Sequence, residues 1–366
     1  MPSLLSREKF LLVALLLAVL TLFTEHAILE AGKLAALGGA ALLIVVIVLT
    51  STRVAHHAEV LAHKVGDPYG TMILTLSAVA VEVLILAILM NDSESPTLVR
   101  DTIYSAVMLD INGILGLAAL LGGLRHGEQP YNDNSGKTYG VMILTAMGIS
   151  MVVPEFVPSD RWHYYSAFTI VAMIALYGLF LRMQVGPHSY FFSYSYPRPK
   201  PQATAAKPAT GGTGEGSTTA AIAIILIGVV LIGVLAEFMS AFINAGLKGS
   251  GAPPALMAVI VAAISAAPEI LTALRAALRN RMQSVVNIAM GASLSTVILT
   301  VPVMEAIALY TGQPFVMAMT PVQTVMVAIT LIAAAINLND GETNAIEGMT
   351  HFVLFATFLM LTMIGL

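Results

Sequence analysis

The chain has 366 residues, of which 57% are hydrophobic and only 10% charged, too little polar surface to cover a soluble globule. The absence of cysteine excludes a disulfide framework, a thiolate metal site and a cysteine nucleophile. The net charge of -4 is uninformative, but the lack of a basic stripe interleaved with aromatics argues against nucleic acid as a partner.

An integral membrane protein is therefore expected, and each span needs roughly 20 mainly apolar residues. In chain order, eleven candidates lie near residues 9-29, 34-56, 70-90, 98-124, 139-157, 164-184, 219-243, 253-276, 284-311, 320-338 and 347-366. The basic N-terminus before the first apolar run lacks a clean small-residue cleavage site, so it reads as a retained span rather than a signal peptide. Short loops rich in Lys and Arg stay cytoplasmic. With the N-terminus inside, only Lys33, Arg100, Arg161 and Lys248 of the 17 basic residues face out. This predicts a cytoplasmic N-terminus and, eleven being odd, an outside C-terminus in a bacterial-type inner membrane.

Residues 186-218 are rich in Pro, Gly, Ala and Thr and too irregular to span, so they read as a mobile cytoplasmic linker. The expected organisation is an N-terminal helix (1-33), a first five-helix unit (34-185), the linker, and a second five-helix unit (219-366). Five is odd, so the second unit inserts upside down relative to the first. Inverted repeats of this kind place a transport site at their interface near mid-membrane.

Each half carries an acid inside an apolar segment: Glu82 in AVAVEVLILAIL and Glu269 in SAAPEILTALRAAL. An acid at membrane depth costs several kcal/mol unless it faces a partner or a water-filled cavity. Each is preceded by an Ala-Glu pair, at Glu59 and Glu237, near the end of the previous span. A hard cation such as Ca2+ or Na+ takes oxygen ligands. Glu82 and Glu269 would supply the charge, and Thr75 and Ser265 share their helical faces. Pro268 lacks an N-H and so frees the carbonyl of Ile264. Two nearby carboxylates in low dielectric resist both being ionised, whereas a cation favours both charged forms. One pair can thus hold a cation or protons in alternation, the physical basis of cation/proton antiport.

Asp110 and Asn112 in the fourth span, and Ser293 and Ser295 in its counterpart, are candidate lining residues, with interhelical glue as the equal alternative. Glu59 and Glu237 read as gate or relay residues, or as solvated helix ends. Glu305 reads as a vestibule acid. His56, Glu59 and His63 share a face beside His57, where a juxtamembrane polar cap is the plainer reading than a metal site. Ser293 with His351 offers an intramembrane serine protease as an alternative of another class. A purely structural scaffold is the remaining alternative.

Four stretches carry a family resemblance: AEVLAHKVGDPYG with the span of Glu82; PTLVRDTIYSAVM; APEILTALRAALRNRMQSVVNIAMGASLSTVILTVPV; and the Asp-Gly-x-x-Asn-x-x-Glu-Gly segment within 339-360. Together they resemble the cation/Ca2+ exchanger superfamily, and within it the Ca2+/cation:proton antiporters, most nearly the bacterial ChaA-type sodium (potassium, calcium)/proton antiporters. The resemblance implies an all-α fold of eleven spans with two inverted five-helix repeats. It also implies Glu82 and Glu269 as shared ligands for transported Ca2+, Na+, K+ and H+, with no cofactor. Family members typically carry Gly-Asn three residues before each glutamate, where this chain has Ala78-Val79 and Ser265-Ala266. That loss of amide oxygens moves weight toward Na+ or K+. A sodium/calcium exchanger without proton coupling is the nearest alternative.

Overall fold

The computed structural model describes residues 8-65, 69-92, 95-158, 160-186, 189-192, 218-253, 255-312 and 315-366. The described chain is almost wholly helical: α1 (Lys9–Glu30), α2 (Lys33–Val65), α3 (Tyr69–Asp92), α4 (Leu98–Met108), α5 (Gly116–His126), α6 (Asp133–Met147), α7 (Trp162–Val185), α8 (Thr218–Leu247), α9 (Ala255–Ser265), α10 (Ala267–Ala277), α11 (Met282–Ser295), α12 (Val301–Thr311), α13 (Pro321–Asn337) and α14 (Ala345–Met363). Two-residue strands β1 (Gln129–Pro130) and β2 (Glu342–Thr343) pair antiparallel. Among the described residues, eight helices are long and apolar enough to cross a membrane, and the bent pair α9 and α10 makes a ninth. Two shorter apolar helices, Leu76–Met90 within α3 and Pro321–Asn337, occupy the other two expected positions.

Several rods are not regular. π-helical segments join α4 to α5 (Leu109–Leu115) and α11 to α12 (Thr296–Thr300), and a third, Gly148–Val152, follows α6. Such bulges widen a helix locally and concentrate at functional sites. Helix starts are set by local chemistry. Thr320 and Gln323 form a reciprocal capping box behind Pro321, and Asn344 accepts from the N-H groups of Ile346 and Glu347 at the start of α14.

The two halves interlock rather than sit side by side. α2 packs along α8, α3 against α12, and α7 against α12; with the roles of the halves reversed, α10 packs against α5, and α14 against α5. Exchanging the halves maps the second pair onto the fourth and the third onto the fifth. The extra helix α1 lies on α2 and α8.

At one end of the bundle, the Asp340–Gly348 segment is a structural joint. Gly341, at φ 85, turns the chain where a side chain would be strained, and its carbonyl accepts the Tyr131 N-H at 2.8 Å. Gly348 lets α14 lie directly on α5, because a methyl there would fall on the backbone of Leu120. Gln129 extends the joint across the halves, donating to Ala277 O and Asn280 Oδ1, each at 3.0 Å.

Part of the expected linker is folded. Residues 189-192 form a 3-10 turn whose Phe192 carbonyl accepts from Asn287 Nδ2 at 2.9 Å, and the Phe192 ring packs on Tyr139 and Phe180. Aromatic packing therefore docks the start of that segment. Residues 193-217 lie outside the described residues.

Glu8 ties α1 to α2: Arg53 donates to both of its oxygens, at 2.6 and 3.2 Å, and His57 Nε2 stands 3.0 Å away. Burial pushes this carboxyl up, but hydrogen bonds from Arg53 and His57, with their charges, outweigh it and hold it below its ordinary range. A carboxyl lowered on folding contributes stability above its unfolded value and loses it as pH falls through the folded one. In detergent melts, wild type should therefore be more stable than Glu8→Gln at neutral pH. That gap should close as the pH falls below 4.5, the ordinary glutamate value.

Candidate functional site

Glu82 sits on α3, 5% exposed, facing the π-helical segment of the rod formed by α11 and α12. Its Oε2 accepts from Thr296 Oγ1 at 2.9 Å and Thr300 Oγ1 at 3.3 Å. Thr296 and Thr300, four residues apart at the two ends of the π segment, thus present both hydroxyls to one carboxylate oxygen. Oε1 is buried with no hydrogen-bond partner.

Glu269 stands three residues beyond the break between α9 and α10. Pro268, at the start of α10, cannot donate to the carbonyl of Ile264, and the axis bends by 57° there. A broken helix puts backbone oxygens and a carboxylate at one depth, as transport sites require. Oε2 of Glu269 is also buried without a partner. Ser265 turns its hydroxyl back to Ala262 O at 3.0 Å.

Asp110 completes the cluster. It lies in the π segment between α4 and α5, 2% exposed, and its Oδ2 accepts from Ser293 Oγ at 3.2 Å. Glu269 lies within electrostatic reach of Glu82, and both lie within reach of Asp110, so the three carboxyls share one electrostatic environment. Among the described residues, no three His, Cys, Asp or Glu side chains converge tightly enough to form a metal cluster. The arrangement is a set of carboxylate oxygens with hydroxyls between them.

Other expected liners go elsewhere. Asn112 is fully buried, yet its Nδ2 donates to Thr330 Oγ1 at 2.7 Å and its Oδ1 meets His351 Nδ1 at 2.8 Å. It stitches the π segment to α13 and α14 rather than joining the glutamates. Ser295 donates to Gly291 O of its own helix at 2.7 Å. Glu237 is exposed on α8. The side chains of Thr75, Glu59 and His63 lie outside the described residues, although all three positions are helical.

Thr296 and Thr300 were not singled out in the sequence. Their signal was available, since they stand four residues apart in the segment after Ser293 and Ser295. Ser51 on α2 is a second such case: its hydroxyl is buried and unpartnered, and α2 packs on both glutamate-bearing helices. At one end of the bundle, a cleft of about 280 Å³ is bounded by the C-terminal ends of α3 and α8 and the N-terminal ends of α4 and α9. Its polar lining includes Ser95, Asp101, Ser240, Asn244 and Lys248.

The pairing expected of a serine hydrolase is missing. Ser293 donates to Asp110, and His351 Nδ1 is engaged by Asn112.

The family model described as sodium/calcium exchanger protein matches residues 35-186 and 220-364. The sodium-potassium/proton antiporter ChaA of Escherichia coli is 33% identical over 310 residues, 84% of each chain. A protein described as a putative ionic transporter, y4hA of Sinorhizobium fredii, is 31% identical over 315 residues, again 84% of each. The solved structure of native YfkE matches with a TM-score of 0.72 at 18% identity, covering 93% of this chain and 99% of that one. A second structure of YfkE describes it as a Ca2+/H+ antiporter.

Asn112→Ala should leave His351 and Thr330 without their buried partners and cost about 1–3 kcal/mol of stability. Thermal melts in detergent check this, with Ser295→Ala as the near-neutral control.

Proposed function

The chain belongs to the sodium/calcium exchanger family, and we propose that its cation/proton antiport runs through Glu82 and Glu269 as alternating ligands for cation and protons. The observation that carries this is the pair of buried carboxylate oxygens, Glu82 Oε1 and Glu269 Oε2, that meet no donor. A buried bare carboxylate is costly, so each must take either a proton or a cation. Being within electrostatic reach, the two respond together: a cation drives protons off both, and protons drive the cation out.

The secondary ligands proposed are Thr296, Thr300, Ser293 and Asp110, with Ser265, the carbonyl of Ile264 and Thr75 as further candidates. Asp110 adds a third negative charge, which supports Ca2+ alongside Na+ and K+ as a transported ion. Glu59 and Glu237 remain proposed gate residues.

The proposed units are the helix 1-33, repeats 34-185 and 219-366, and the segment 186-218 between them. The correspondence of helix contacts when the halves are exchanged supports this reading. Alternating access then follows from rocking one bundle against the other around a fixed site. The basic-residue count supports a cytoplasmic N-terminus and an outside C-terminus in the inner membrane. In that orientation the polar cleft opens outward.

In everted vesicles with an imposed pH gradient, wild type should collapse the gradient on addition of Ca2+, Na+ or K+. Glu82→Gln and Glu269→Gln should abolish this while eluting from size exclusion as wild type does. Asp110→Asn should weaken Ca2+ exchange more than Na+ exchange. Wild-type rates in either glutamine variant would overturn the assignment of the pair.

A further inference from the structure

Glu305 is a fourth buried acid, on α12, and the exchange chemistry above does not use it. It is 1% exposed. Its Oε1 accepts from Ser166 Oγ on α7 at 3.3 Å, and its Oε2 is buried with no partner. The titratable groups with described side chains on the helices packed against α12 are Glu82 of α3 and His163, Tyr164, Tyr165, Tyr177 and Arg182 of α7. Among the described residues no cation pairs with Glu305.

We infer that Glu305 is a proton-binding site separate from the Glu82 and Glu269 pair, contributing an additional proton to each exchange cycle. This rests on the proposed exchange reading.

A single carboxylate with one hydroxyl donor is a poor cation site, because Na+ or Ca2+ needs several more oxygens. The same carboxyl cannot remain charged in a dry interior without compensation. A proton is the ligand that satisfies both conditions. Placement supplies the coupling. Glu305 follows Thr300, a donor to Glu82, by five residues on the same rod, about 7.5 Å of helical rise. A cation arriving at Glu82 brings positive charge within that range and favours departure of the Glu305 proton. Ser166 lies in the first turn and a half of α7, at the end of the bundle to which the polar cleft opens. That face is the entrance proposed for the proton in the outward-open state, and its release, favoured by cation arrival at Glu82, is to the opposite face in the inward-open state.

The test is the zero-flux pH gradient. Purified protein is reconstituted in proteoliposomes, with the membrane potential collapsed by a permeant anion and a fixed gradient of Na+ or Ca2+ imposed. The pH gradient that stops net cation movement is then measured. Moving one proton fewer per cycle requires a larger pH gradient to balance the same cation gradient. Glu305→Gln keeps an acceptor for Ser166, and Glu305→Met fills the volume without a titratable group. Both are expected to exchange, with a larger zero-flux gradient than wild type, and Glu305→Asp should return toward the wild-type value. If exchange persists and the zero-flux gradient is unchanged in both the Gln and Met variants, Glu305 carries no transported proton. If wild type exchanges neither Na+ nor Ca2+ for protons, the exchange reading falls as well.

Discussion

A carboxylate buried at membrane depth must be neutralised, and the fold is organised around that constraint. Glu82 and Glu269 each keep one oxygen without a donor, in an interior that offers no bulk water to compensate. Every departure from regular helix near them relates to it. The break at Pro268 exposes backbone oxygen beside Glu269, and the π segment at Thr296–Thr300 turns two hydroxyls toward Glu82. The π segment at Leu109–Leu115 brings Asp110 into the same field.

The surrounding packing holds these irregular segments in place. A π segment or a proline break is weak by itself, since it forfeits regular i to i-4 bonding. Here the π segments at Leu109–Leu115 and Thr296–Thr300 are backed by buried polar contacts to other parts of the chain. Asn112 joins His351 and Thr330 across more than 200 residues of sequence, and Gln129 and Gln283 bind the loops at one end of the bundle. At the other end, Arg100, Asp101 and Gln323 link the start of α4 to the start of α13. Between these ties the site is held at fixed depth, while α2 and α8, long and continuous, cross the interface as one pair.

Much of this was legible in the sequence, for physical reasons that differ by residue. Glu82 and Glu269 stand out because an acid in an apolar run is expensive, and Pro268 because its missing N-H has a known consequence. The Asp340–Gly348 motif was visible as a signature, but its role as a joint depends on Tyr131 and Leu120, which only the fold brings near. Hydroxyls were the least readable. Thr296, Thr300 and Ser295 look alike in an apolar helix, and whether each bonds a carboxylate or its own backbone depends on rotation about the helix axis. Asn112 was a plausible liner by depth, yet its amide is taken up by Thr330 and His351. Glu305 reads from the sequence as a vestibule acid near the outer end of its span, and the fold adds that it is 1% exposed and accepts from Ser166 of α7.

The central claim is that cation and proton compete for one pair of carboxyls. The most direct measurement is proton release on cation binding to the purified protein in weakly buffered detergent, followed with a pH indicator as Ca2+ or Na+ is added. Competition predicts release of protons on binding, an apparent cation affinity that weakens as pH falls, and no release from the double variant Glu82→Gln, Glu269→Gln. Saturable cation binding with no proton release and no dependence on pH would contradict it.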